Sequence, residues 1–200
     1  MIFKMKGKEG YIMHPILRDL PTEFTSERLL IRMPLPGDGK KVYDAIRYSR
    51  TSLQKWLPFA QQEQSEEEVE INVRLAHIDF LKREDLRLHI FCKKTKNFIG
   101  SSGLHRIDWD VPKVEIGYWI DDRYSGKGYI TEAVERITMY AIDEIKARRI
   151  EIHCDEKNVR SRAIPERLGF ELEGIFKQDS VAVNGQGLRN TCVYAKIFNT

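Results

Sequence analysis

The sequence has few cysteines, no long apolar run and little net charge, and each shortage excludes a class of protein. Its three cysteines, Cys92, Cys154 and Cys192, are odd in number and widely spaced among 200 residues, which predicts reduced thiols and not a disulfide framework. No apolar run approaches the length of a membrane span, and the early lysines are followed by no apolar core of a secretory signal. We therefore expect a cytoplasmic protein without a membrane partner.

The charge balance and the composition indicate one globular domain. The formal net charge is +3, with 42% hydrophobic and 32% charged residues. These values are typical of a globular protein and give no reason to expect a nucleic-acid partner. A chain of this length can bury a core without disulfides. Residues 1–20 lack a clear periodicity, so we expect an N-terminal extension there and a single domain over residues 21–200.

Residues 115–133 carry the most informative pattern in the chain. Branched and aromatic residues alternate with other residues from 114 to 121, which predicts a β-strand. A turn with Gly126 and Gly128 follows, and from Ile130 apolar residues recur at helical spacing. A strand, a glycine turn and a helix N-terminus present unpaired N–H groups at the positive end of a helix dipole. Such an arrangement binds phosphate well.

Two common phosphate motifs fit this turn poorly. A mononucleotide P-loop needs a hydroxyl residue after its lysine, whereas Lys127 is followed by Gly128. A dinucleotide fingerprint needs a third small residue at the position of Thr131. On this evidence alone, a glycine turn that only connects a strand to a helix also remains open.

Periodicity along the whole chain predicts about seven strands and about four helices in the order βααβββαβαββ. The helix after the central strand is long enough for a crossover, so the strands on either side of it should be parallel neighbours. Asp38 is expected to cap the first helix. The predicted strands are 28–33, 86–91, 98–105, 114–120, 149–154, 170–176 and 191–198, and the predicted helices are 39–50, 66–81, 130–145 and 158–168.

Two motifs in this order resemble those of the GNAT superfamily of N-acetyltransferases. The segment Arg123-x-x-Gly126-x-Gly128 is similar to the phosphate-binding signature of that superfamily. Further on, Asn158-x-x-Ser161 is followed by a short predicted helix and by Leu-Gly-Phe, as in many members. Two signatures in the expected order are much more specific than either alone.

The resemblance extends over residues 26–198 and is most specific for one branch. The string Glu-Ile-Gly-Tyr-Trp-Ile before the glycine turn and Trp-Leu-Pro at residues 56–58 are similar to ribosomal-protein-serine/alanine N-acetyltransferases. The resemblance implies an α+β GNAT fold, with a mixed, mostly antiparallel central sheet, a splayed parallel pair of strands and helices on both faces. It leaves a homodimer open.

The same resemblance implies transfer of an acetyl group from acetyl-CoA to a primary amine, by direct attack in a ternary complex. The pantetheine arm would lie in the gap between the strands at residues 115–120 and 149–154. Lys127 could equally be a surface residue, and Asn158 could be a plain helix cap. The implied acetyl-CoA contacts are Trp119, Ile120, Arg123, Gly126, Lys127, Gly128, Tyr129, Ile130 and Asn158.

The attacking amine must first lose a proton, which needs an acceptor. At neutral pH this costs about 1.4 kcal/mol for an α-amino group and about 5 kcal/mol for lysine. A carboxylate can take the proton directly or through water, and Glu115 on the central strand is the candidate. The alternative is that Glu115 only pairs with Arg106 or another cation.

The departing thiolate needs a hydrogen-bond donor, and the resemblance points to a problem here. Many members use a tyrosine seven residues after the motif asparagine, but this chain has Pro165 there. The branch resemblance suggests Ser161 as the substitute general acid. Its alternative is a hydroxyl at a helix start without a chemical role.

Other residues leave the acceptor undefined. Trp56 and Phe59 would line an acceptor pocket or pack in the core, and Cys154 would be a buried small hydrophobe or an acyl carrier. The five histidines show no metal-ligand spacing, so no metal is expected. We expect a protein N-terminal α-amine as acceptor. A small amine and a non-catalytic acyl-CoA-binding module are the alternatives.

Overall fold

A computed structural model describes residues 13–198 and contains one mixed sheet with helices packed against it. Within this range the structure has eight strands and four α-helices. The strands are β1 (Glu23–Thr25), β2 (Leu29–Arg32), β3 (Leu86–Cys92), β4 (Phe98–Asp108), β5 (Lys113–Ile120), β6 (Arg149–Asp155), β7 (Glu171–Val181) and β8 (Leu188–Ile197); the helices are α1 (Gly39–Leu53), α2 (Glu66–Lys82), α3 (Tyr129–Tyr140) and α4 (Val159–Arg167).

The sheet order is β1-β2-β3-β4-β5-β6-β8-β7. All neighbouring strands are antiparallel except β5 and β6, which are parallel and joined through α3, as a crossover of that length requires. Alternate residues of β5 show that both faces of the sheet are covered. Tyr118 reaches α4, whereas Trp119 packs on the opposite face with the cluster of α1 and α2. The predicted α+β fold is confirmed.

The structure differs from the predicted elements at several ends. The sheet has one strand more than predicted, because the three-residue β1 pairs with β2 at the sheet edge and is too short to show a period. The predicted helix over 130–145 ends as α3 at Tyr140 and continues as a single π turn over Ala141–Ile145. Strand β7 also runs to Val181, since β8 pairs with it over that length.

The boundary predicted at residue 20 concerns residues that are only partly described. Residues 1–12 of the expected extension lie outside the described residues, as do 199–200 of the expected domain. Pro15–Leu17 forms one 3₁₀ turn, and Leu20 is buried in the main core cluster. The division into extension and domain stays a prediction.

The prediction that Asp38 caps α1 is wrong. Its side chain makes no cap hydrogen bond and instead accepts two from Arg32, at 2.6 and 2.7 Å, and lies 3.0 Å from Nδ1 of His89. Burial alone would raise the pKa of Asp38, but these hydrogen bonds from His89 and Arg32 lower it below its ordinary value. At the start of α1, the carboxylate of Glu70 in α2 instead accepts hydrogen bonds from the backbone N–H groups of Gly37 and Gly39.

Substituting Asp38 by alanine should destabilise the fold strongly. The change would leave the buried His89 and the half-buried Arg32 without their shared acceptor, and breaking a buried pair costs about 3–5 kcal/mol. Urea unfolding followed by circular dichroism measures the loss. The matched control is Asp44→Ala on the same helix, whose exposed pair with Lys40 should contribute little. Equal midpoints for the two variants would contradict this account.

Candidate active site

The site begins where β5 and β6 stop pairing. Their parallel ladder covers only three positions, ending at Glu115 and Glu151. Beyond it, β5 stays paired with β4 as far as Ile120, and β6 stays paired with β8 as far as Asp155. The facing edges of the two strands therefore diverge, and the backbone of β5 can pair with an extended ligand as it would with a strand. The predicted splayed pair is confirmed.

The glycine turn follows β5 directly and ends at the start of α3. Gly126 and Gly128 have φ values of 75° and 78°, a left-handed region that glycine adopts without a steric cost. Gly128 is the N-cap residue of α3 and provides no side-chain cap. The first N–H groups of the helix, near Tyr129 and Ile130, are thus left for a ligand at the positive end of the helix dipole.

The two cations predicted to face a phosphate are engaged by the turn itself. Arg123 pairs with the buried Asp121 at 2.5 Å between Nη2 and Oδ2, and this hydrogen bond raises the pKa of Arg123. Lys127 donates from Nζ to the carbonyl oxygen of Arg123 at 2.9 Å. Both side chains therefore fix the turn, and their charges lie beside the helix N-terminus.

Arg28 is a further residue of this turn that the sequence patterns did not single out. Its Nη1 donates to the carbonyl oxygen of Lys127 at 3.1 Å, and its Nε pairs with Glu132 at 2.6 Å. The guanidinium also lies 4.4 Å from the ring centroid of Tyr129. Ser26 donates to the same Glu132 at 2.7 Å. No local signal could reveal these contacts, because residues about a hundred positions apart in sequence meet only in the fold.

The start of α4 lies across the gap from β5. Oδ1 of Asn158 accepts from the backbone N–H of Ser161 at 3.2 Å, so Asn158 does act as a helix cap. Oγ of Ser161 donates to the hydroxyl of Tyr118 at 3.2 Å, and that hydroxyl donates to the carbonyl oxygen of Ser161 at 2.9 Å. Pro165 is buried inside the helix.

The sequence patterns do not single out Tyr118, because it shares the inward face of β5 with aliphatic residues. The sequence does mark the position, because the Tyr118 hydroxyl is a polar group on a face that otherwise carries Val114, Ile116 and Ile120. Burial raises the pKa of Tyr118, and the hydrogen bond with Ser161 acts in the opposite direction.

Glu115 lies on the other face of the sheet, at the last paired position before the gap. Its Oε2 is 2.9 Å from Nη1 of Arg106 and 3.4 Å from Nδ1 of His153. Nε2 of His153 lies 3.0 Å from a carboxylate oxygen of Glu151. The ion pair with Arg106 considered from the sequence is therefore present. The side chain is 16% exposed, so it is not fully buried by these partners.

The two predicted pocket aromatics differ in position. Phe59 is exposed and lies 6.0 Å, between ring centroids, from Trp119 on the same face of β5 as Glu115. Trp56 is half-buried in the segment that follows α1, and its ring contacts no other aromatic ring in the described part of the chain. Phe59 thus lies beside Trp119 of β5, and the structure gives no comparable contact for Trp56.

Cys154 is buried near the end of β6. Burial raises the pKa of its thiol to about 12, so the thiol stays protonated near neutral pH and is a poor nucleophile. In residues 13–198 no three side chains converge as metal ligands. No helix in the same range is both long enough and apolar enough to cross a membrane.

Comparisons with known proteins agree with this geometry. The acetyltransferase (GNAT) domain family matches residues 28–171. YdaF of Bacillus subtilis (strain 168) is 33% identical over 164 residues, 80% of this chain and 86% of YdaF. The ribosomal-protein-serine acetyltransferase of Escherichia coli (strain K12) is 30% identical over 153 residues, 76% of this chain and 84% of that protein. A structure of the ribosomal α-N-protein acetyltransferase RimL with coenzyme A has a TM-score of 0.80 at 24% identity, covering 90% of this chain and 97% of RimL.

A mixed sheet in which two parallel strands diverge, followed by a glycine turn at a helix N-terminus, is the architecture of an acyltransferase that binds its donor between two strands. The chain belongs to the GNAT acetyltransferase family. It is an N-acetyltransferase, and its relatives include ribosomal-protein acetyltransferases.

Replacing Arg28 by glutamine should weaken donor binding. The variant loses the tie between the glycine turn and the start of β2, and a hydrogen bond to a charged group contributes about 1.5–3 kcal/mol. We expect KM for acetyl-CoA to rise about tenfold with little change in kcat. Initial-rate kinetics with acetyl-CoA and with S-acetylpantetheine, which lacks the nucleotide, measure the effect.

The matched control for this experiment is Arg136→Gln. Arg136 also donates to a backbone carbonyl, that of Thr25, but contacts the strand and not the turn. Its substitution should leave KM for both donors unchanged. An equal rise of KM for acetyl-CoA and S-acetylpantetheine in Arg28→Gln would contradict a role at the phosphate end.

Proposed function

We propose that this protein transfers the acetyl group of acetyl-CoA to the N-terminal α-amine of a protein, by direct attack in a ternary complex. The observation that carries the proposal is the gap between β5 and β6, which opens after three paired positions and leads to the uncapped N-terminus of α3. The relatives named as ribosomal-protein acetyltransferases and the coenzyme A complex of RimL support the donor and the acceptor class.

In this proposal the donor lies along β5 with its pyrophosphate at α3. Main-chain groups of Trp119 and Ile120 pair with the pantetheine amides as a strand would. The N–H groups from Gly126 to Ile130 hold the pyrophosphate, because the helix dipole favours an anion there. The charges of Arg123 and Lys127 add to this field, and Asn158 contacts the pantetheine arm beyond its capping bond.

Glu115 accepts the proton of the attacking amine, directly or through a water. The carboxylate pairs with the guanidinium of Arg106 and lies near the imidazole of His153. Deprotonation at neutral pH costs about 1.4 kcal/mol for an α-amine and about 5 kcal/mol for a lysine, so an α-amine is the easier substrate for a single carboxylate acceptor. Phe59 and Trp119 border the approach on this face, and Trp56 completes the proposed acceptor pocket.

Loss of the leaving group needs no tyrosine on α4. The bond between nitrogen and the acetyl carbon forms, the carbon–sulfur bond breaks, and its electron pair goes to sulfur. The hydroxyl of Ser161 is the proposed donor to that sulfur, at the start of α4 across from β5. A homodimer and a cytoplasmic location stay predictions, and sedimentation equilibrium of the purified protein tests the first of them.

A thiol-release assay tests the proposed function. Acetyl-CoA is offered with peptides that carry free N-terminal serine or alanine, with the same peptides blocked at the N-terminus but containing lysine, and with a polyamine. Turnover confined to free N-termini supports the proposal. Turnover only with the polyamine favours a small-molecule acetyltransferase, and tight binding of coenzyme A without turnover favours a non-catalytic module.

Replacing Glu115 by glutamine should lower kcat by about 100-fold or more, because the variant keeps the shape but loses the proton acceptor. KM for acetyl-CoA should change little, since Glu115 lies on the face opposite Tyr118 and α4. Steady-state kinetics with a saturating peptide measure kcat. Glu173→Gln, which removes an exposed carboxylate of β7 paired with Arg149, is the control. An unchanged kcat in Glu115→Gln would remove this residue from the mechanism.

Replacing Cys154 by alanine should leave kcat within a few-fold of the wild-type value. The raised pKa keeps the thiol protonated, so direct attack by the amine does not use it. Kinetics and intact-mass spectrometry after mixing with acetyl-CoA alone check this outcome. A stable acetyl adduct on Cys154 in the wild type, together with an inactive alanine variant, would show an acyl-enzyme instead.

A further inference from the structure

Two hydroxyl groups connect β5 to the start of α4 beside the gap. Tyr118 projects from β5 and Ser161 lies in the first turn of α4, yet two hydrogen bonds join them, at 2.9 and 3.2 Å. The Ser161 hydroxyl donates to the Tyr118 hydroxyl, which in turn donates to the Ser161 carbonyl oxygen. The bridge therefore holds the hydroxyl of Ser161 at a fixed point on the side of the sheet that α4 covers.

The chemistry of the two hydroxyls suits a donor chain. Burial raises the pKa of Tyr118, so its phenol keeps its proton throughout the working pH range. A serine hydroxyl has one proton, and when Ser161 turns that proton toward a sulfur it loses its present acceptor, Tyr118. The Tyr118 proton can then turn from the Ser161 carbonyl oxygen to the Ser161 Oγ, and the carbonyl oxygen gives up that hydrogen bond, which Pro165, four residues on, cannot replace because it has no N–H.

We infer that Tyr118 is a positioning residue for the leaving group, acting through Ser161. The inference rests on the proposed function, because it deepens the role of the same gap. When the carbon–sulfur bond breaks, the electron pair stays on sulfur, and the Ser161 hydroxyl donates to it. The Tyr118 hydroxyl donates to Ser161 Oγ in turn and strengthens that donation. The amine proton goes to Glu115, and water later protonates the released thiolate.

This arrangement accounts for a proline at position 165. A side-chain hydroxyl on the middle of α4 is unnecessary if β5 provides one from the other side of the gap. Tyr118 provides this hydroxyl from β5. The hydroxyl of Tyr194, a buried tyrosine beside the same helix, instead hydrogen-bonds with Arg162 at 3.0 Å and with Glu166 at 2.6 Å.

The test compares Tyr118→Phe with Tyr194→Phe, using two acetyl donors. Both tyrosines hydrogen-bond to α4, so a loss caused by a looser helix should appear in both variants. The donors are acetyl-CoA, whose alkyl thiolate needs a hydrogen bond, and S-(4-nitrophenyl) thioacetate, whose aryl thiolate leaves without one. Rates are measured at a saturating peptide after the uncatalysed rate has been subtracted, and thermal unfolding checks that each variant is folded.

In Tyr118→Phe, kcat with acetyl-CoA should fall about 10- to 100-fold, while the rate with the aryl thioester stays within about twofold of wild type. Ser161→Ala should show the same donor dependence, and the double variant should be no slower than Ser161→Ala, because the two hydroxyls act as one unit. Tyr194→Phe should keep its rate with both donors.

Two results would overturn the inference. An unchanged kcat in Tyr118→Phe with acetyl-CoA would show that the phenol is not needed, and equal losses with both donors would show that it only supports the helix. Either result leaves the proposed function standing as long as the wild type acetylates the peptide. Failure of the wild type to acetylate any amine would instead refute the proposed function itself.

Discussion

The site depends on one departure from regular sheet pairing, the separation of β5 from β6 after Glu115 and Glu151. Each strand keeps its outer neighbour, so both stay extended while they diverge. Buried backbone N–H and C=O groups need partners, and the edge of β5 that leaves β6 can find them in an extended ligand. The fold alone therefore makes the gap able to accept an extended ligand, before any side chain is considered.

Polar side chains lie on both faces of the sheet around this gap, and each face carries a different set. On one face, Glu115 lies among Arg106 and His153, where the proposed mechanism has the amine give up its proton. On the other face, Tyr118 and Ser161 form hydrogen bonds beside the diverging strands, where the proposed mechanism has the sulfur depart. Neighbouring residues of a strand point to opposite faces, so the proposed proton acceptor and the proposed leaving-group donor lie on different sides of the sheet.

Sequence patterns predicted the element order and the glycine turn, since both arise from local periodicity and from the conformational freedom of glycine. They failed where distant residues decide the outcome. Asp38 resembled a helix cap, but Arg32 and His89 bind its carboxylate and Glu70 takes its place. The short β1 lacked a period of its own and forms because β2 offers it an edge.

For the candidate site, the sequence by itself determined which residue types flank the glycine turn and the gap, because the motifs around Gly126 and Asn158 and the alternation along β5 are local. Only the tertiary structure decided how these residues are used. It ties Arg28 to the glycine turn through the carbonyl oxygen of Lys127 and to α3 through Glu132, and it brings Tyr118 to Ser161. Such contacts depend on the packing of distant segments, which no periodicity encodes.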